Sequence, residues 1–78
     1  TLIMTGDEDE PCLDPNVMMK RTMPYAWLAV LPASGHAINL EEPDLFNLLL
    51  QRFLTAVETG GFKPRDPRSV SQSMTGLK

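Results

Sequence analysis

Residues 1–9, TLIMTGDED, and residues 26–36, AWLAVLPASGH, decide the fold of this 78-residue chain. Each begins as an uninterrupted apolar run, the pattern of a strand covered on both faces, rather than the alternation of a half-exposed one. The first run stops at Gly6 and the second at Pro32, each followed by turn residues. Between them, Asp14-Pro15 offers an N-cap followed by proline at the first helical position. This predicts a helix over Asn16 to Thr22 that Pro24 ends. Strand, helix and strand within about 31 residues fit one βαβ unit with parallel strands.

A second helix follows. Pro43 occupies its first position, Glu41, Glu42 and Asp44 put negative charge at the positive end of its dipole, and Gly60-Gly61 stop it. Phe46, Leu49, Leu50, Phe53 and Val57 repeat at the spacing of one buried face, which Leu45, Leu48, Leu54 and Ala56 widen toward a sheet. Composition changes after Gly61. Residues 1–61 hold three basic and nine acidic side chains, whereas residues 62–78 hold four basic and one acidic among several prolines and serines. The expected organisation is therefore a domain portion over residues 1–61 and a polar tail over 62–78, disordered beyond Arg68.

The net charge of 7 − 10 = −3 argues against nucleic-acid binding, which needs a clustered basic surface. No apolar run reaches the roughly 18 residues of a membrane span, and no signal-peptide pattern opens the chain, which leaves the cytoplasm as the default location. Cys12 is the single cysteine and His36 the single histidine, so no internal disulfide can form and no Cys/His set exists for a zinc site. Met4, Met18, Met19 and Met23 read as gap-filling core and Met74 as exposed tail. Tyr25 and Trp27 read as packing residues, and Glu41 as a brace for the loop bearing His36.

Two polar segments follow the carboxyl ends of the two strands: Gly6-Asp7-Glu8-Asp9 and Gly35-His36. Chemistry in open parallel sheets gathers at that rim, and neighbouring strands lie only about 4.8 Å apart, so Asp9 and His36 are expected to meet. A carboxylate on one imidazole nitrogen fixes the tautomer and leaves the other nitrogen free to take a proton.

With TLIMTGDED, AWLAVLPASGHAINLEEP and the helix DLFNLLLQRFL in this order, the chain resembles the carboxyl-terminal part of the α/β-hydrolase family. The resemblance implies a mostly parallel α/β sheet of which this chain supplies a βαβ unit and the last helix. It implies that Asp9, closing G-x-x-D, is the triad acid and that His36 of S-G-H is the triad base. The family's chain order places the nucleophile ahead of both, and no G-x-S-x-G turn occurs in these residues. The implied activity is cleavage of an ester or related bond in a small-molecule substrate by a larger protein, with no organic cofactor or metal and this chain alone inactive. The oligomeric state is left undetermined. A non-catalytic remnant or interaction module is the alternative reading. A third is an acidic-loop βαβ domain holding Mg²⁺ through Asp7 and Asp9.

Two parallel strands alone leave apolar faces and edges uncovered. The 78-residue chain by itself is accordingly expected to be partly unfolded or self-associated. Sedimentation with thermal melting checks this, and a sharp cooperative melt of a monomer is the contrary result.

Overall fold

In the computed structural model, which describes residues 1–70, β1 (Leu2–Gly6) and β2 (Trp27–Leu31) form a two-stranded parallel sheet. The register pairs Leu2 with Trp27 and Gly6 with Leu31, so both strands finish level at the same rim. The α/β class and the βαβ unit are thus present, in an architecture of two strands and flanking helices.

The crossover helix α1 runs from Glu10 to Thr22, six residues earlier than the Asn16 start expected from Asp14-Pro15. Pro11 lies in the first turn, where its missing N–H costs nothing, whereas Pro15 lies inside the helix and withholds a backbone donor there. Both prolines are exposed, so water can take over the lost bond. The true N-cap is Asp9, yet its side chain makes no capping hydrogen bond. A Ser, Thr, Asp or Asn cap ordinarily stabilises a helix by about 1 kcal/mol. Here the carboxylate bonds none of the helix's first N–H groups.

Beyond β2, a short helix α2 (Ile38–Glu41), which the sequence patterns do not reveal, buries Ile38. Helix α3 (Pro43–Thr59) matches its expected limits. Gly60 ends it at φ 77°, and the N–H groups of Gly60 and Gly61 close on the last turn at Val57 O (3.4 Å) and Ala56 O (2.8 Å). Phe53 of α3 meets Trp27 of β2 edge to face at 5.6 Å.

The core is small: Ile3, Ala26, Leu31 and Ile38 are its buried apolar residues, with Thr5 and Ser34 buried beside them. Several expected core positions are exposed instead. Met18 and Met19 lie on the outer side of α1, and Leu48, Leu54 and Val57 of α3 are about half exposed, because two strands are too narrow to cover that helix. On the sheet, apolar exposure falls at Val30, whereas in β1 Ile3 and Thr5 are buried and Leu2 and Met4 half-buried.

The first residues of the compositional tail belong to the packing. Phe62 contacts Phe53 at 5.1 Å, Trp27 at 5.7 Å and Tyr25 at 5.9 Å between ring centroids, all edge to face. The Arg65 N–H donates to Pro24 O at 2.9 Å, and residues Pro67–Val70 make a 3₁₀ turn where disorder was expected after Arg68. Arg68 grips Asp66 there, holding the Asp66 carboxyl below the usual aspartate range. Met74 and the serines at 71 and 73 lie outside the described residues. Among the described residues, no helix is long and apolar enough to cross a membrane.

Two glycines give opposite tests of backbone constraint. A Cβ on Gly6 would stand 2.1 Å from Ser34 O and 2.3 Å from Gly35 O, both backbone atoms, whereas one on Gly60 would meet nothing within 4 Å. Gly60→Ala should therefore cost only the left-handed penalty of about 1–2 kcal/mol. Gly6→Ala should cost more, because the 34–35 backbone must move. Urea unfolding of the protein measures both.

Candidate functional site

The site is built where the two strands end. The N–H of Asp7 donates to Leu31 O at 3.0 Å, and the N–H of Glu8 donates to Ser34 O at 2.9 Å, so the loop after β1 is laced to the loop after β2. The Ser34 N–H returns a bond to Asp7 Oδ1 at 3.2 Å. Ser34 itself is fully buried, its hydroxyl donating to Pro32 O at 2.9 Å. Ala33 takes the turn at φ 50°, a left-handed conformation that costs a non-glycine residue roughly 1–2 kcal/mol. Gly35 N–H donates to both carboxylate oxygens of Glu41, at 3.2 and 3.1 Å, which braces the backbone one residue before His36.

These ties bring together residues 27 positions apart: His36 Nδ1 lies 2.8 Å from Asp9 Oδ2. The two partners differ in surroundings. The His36 side chain is 85% exposed and the Asp9 side chain only 12%. With a proton on Nδ1, the imidazole donates to Asp9, and Nε2 is an acceptor with no partner among the described residues. Hydrogen bonding to His36 is the main reason the Asp9 carboxyl is held below the ordinary aspartate range. The Cys12 thiol adds to this, and desolvation opposes it.

Cys12 is the component that sequence reasoning missed. It occupies the first turn of α1, three positions after Asp9, with Sγ 4.0 Å from His36 Nδ1. Residues three apart on a helix share a face, but that signal was hidden while the helix was expected to start after Asp14. The thiol is pushed above its usual range, first by its hydrogen bond to Asp9, then by desolvation and the Asp9 charge. Such a thiol is a poor nucleophile at neutral pH. Asp7 serves the loop scaffold through its bond to Ser34, and Glu8 and Glu10 are exposed.

Fold and site together define a small α/β unit with a carboxylate–imidazole pair at the carboxyl rim of parallel strands. No protein-family model matches the chain, and no solved structure matches it. Over 56 residues it is 29% identical to the Bacillus subtilis (strain 168) protein named "Putative 2-succinyl-6-hydroxy-2,4-cyclohexadiene-1-carboxylate synthase". The match covers 72% of this chain and 20% of that relative, so the chain spans about one fifth of the length of the curated protein it resembles.

The pairing has a definite pH dependence. Because Asp9 is depressed when folded, its contribution to stability is present above the ordinary aspartate pKa and is lost as pH falls through the lowered value. Carboxyl-carbon NMR should find Asp9 titrating below the usual range. His36→Ala should move the midpoint upward by more than Cys12→Ala does. Asp9→Asn should lower the Cys12 pKa, seen as faster alkylation at neutral pH.

Proposed function

We propose that this chain supplies the acid and the base of a nucleophile–His–acid centre in an α/β-hydrolase-fold enzyme acting on a small molecule. The single observation that carries the reading is the 2.8 Å contact between His36 Nδ1 and Asp9 Oδ2 at the rim where two parallel strands end. Asp9 holds the imidazole in the tautomer that presents Nε2 as a base and stabilises the imidazolium once it forms. His36 takes the proton of the attacking nucleophile and gives it to the leaving group. It then activates the water that releases the covalent intermediate. The exposure of His36 leaves room for both the nucleophile and the substrate at Nε2.

The nucleophile comes from outside these residues. Ser34 is buried and engaged with Pro32 O, and Cys12 is held in its thiol form by Asp9. The oxyanion donors come with the nucleophile turn. The leading reaction is cleavage of an ester or related bond. Similarity to a synthase favours a second reading, in which the same base abstracts a proton from a small carboxylated substrate.

The test is Asp9→Asn and His36→Ala in the complete protein carrying this chain, assayed on activated esters. Each substitution should lower turnover by at least about 100-fold, since a wrongly held imidazole alone costs about 10⁴-fold in the serine-protease triad. Near-normal rates in both variants would reject the catalytic reading and favour a non-catalytic module.

A further inference from the structure

Asp9, Cys12 and His36 each point a potential ligand atom into one small volume, with all three atoms within 4.8 Å of one another. We propose that this cluster is a site for a thiophilic divalent cation of the zinc class, held by Asp9 Oδ2, Cys12 Sγ and His36 Nδ1.

The geometry is close to what such an ion requires. Zinc binds carboxylate oxygen and imidazole nitrogen at about 2.0–2.2 Å and thiolate sulfur at about 2.3 Å, usually in a tetrahedron. Those lengths put an N and an O ligand about 3.3 Å apart and an N and an S ligand about 3.6 Å apart. The separations found here are 2.8 Å between Nδ1 and Oδ2 and 4.0 Å between Nδ1 and Sγ. Each needs to change by only about half an ångström. The ring that must move is the one most open to solvent, while Asp9 and Cys12 are held at the N-cap and in the first turn of α1. Three protein ligands leave a fourth position for water.

The donor set selects the ion. Thiolate with imidazole favours zinc-class cations over Mg²⁺ or Ca²⁺, which prefer all-oxygen shells. Binding expels the Cys12 thiol proton to solvent and shifts the His36 proton from Nδ1 to Nε2, so the imidazole stays neutral, one proton is released, and no electron changes hands. Exposed Glu8 and Glu10 flank the cluster in sequence, within a chain of net charge −3, so the surrounding field favours a cation.

The site competes with the Asp9–His36 hydrogen bond, because the metal takes the nitrogen that donates it. Occupancy therefore switches off the proton transfer assigned to His36, a consequence that rests on the catalytic reading, whereas the binding itself does not.

The experiment titrates the metal-free complete protein with Co²⁺ and then displaces it with Zn²⁺. A thiolate-to-cobalt charge-transfer band is expected at one ion per chain, lost in Cys12→Ser. Zn²⁺ affinity should fall at least about 10-fold in Cys12→Ser, His36→Ala and Asp9→Ala, since even outer-shell changes at metal sites cost 10- to 100-fold. Circular dichroism confirms that each variant keeps its fold. No thiolate band, or an unchanged Zn²⁺ affinity in Cys12→Ser or His36→Ala, overturns the proposal. Ester turnover of each protein with Zn²⁺ is compared with its own rate in chelator. Wild type should be inhibited and Cys12→Ser relieved of inhibition. Absence of turnover in chelator would count against the catalytic reading alone, because the cobalt band decides the metal site separately.

Discussion

The backbone lacing between the loop after β1 and the loop after β2 is the constraint on which the rest depends. Parallel register brings both strands to a common finish, and the contacts of Gly6, Asp7, Glu8 and Ser34 then pin the two loops within hydrogen-bond reach. Only a residue without a Cβ fits at Gly6, because the Ser34 and Gly35 carbonyls occupy the space a side chain needs. Everything chemical in the molecule is downstream of that contact, since Asp9 and His36 each lie within three residues of it.

The position of Asp9 shows how local structure is subordinated to the site. As the N-cap of α1 it is placed to satisfy the helix's first N–H groups, yet its carboxylate goes to His36. The helix still helps, because its positive end favours a negative charge beside it. That same first turn carries Cys12, so one helical start places both Asp9 and Cys12 beside the imidazole.

What could be read from the sequence follows how local each signal is. The two strands were legible because Leu2 to Met4 and Ala26 to Leu31 are unbroken apolar runs with sharp stops, and α3 because Pro43, its apolar period and Gly60 agree. The meeting of Asp9 and His36 followed from strand direction and rim location together. The start of α1 was misread because Asp14-Pro15 imitates a cap, while the competing signal, Asp9 before Pro11, is equally local and has tertiary support. Exposure of Met18, Met19 and Val57 was not legible, since an apolar side chain says only what it can bury and not what is present to cover it. The role of Phe62 was hidden by its neighbours, four prolines and arginines within six residues masking one aromatic ring.

That ring places the boundary of cohesion differently from the boundary of composition. Charge and proline content divide the chain at Gly61, but Phe62 closes a four-ring stack with Tyr25, Trp27 and Phe53, where each edge-to-face pair is worth about 0.5–1.5 kcal/mol beyond its buried area. The stack clasps the amino end of β2 to the middle of α3 and to the segment after it, at the end of β2 opposite the one that leads to His36. The two ends of β2 are thus anchored by unlike forces, aromatic dispersion at its start and polar lacing at its finish, so a change of solvent that loosens one need not loosen the other.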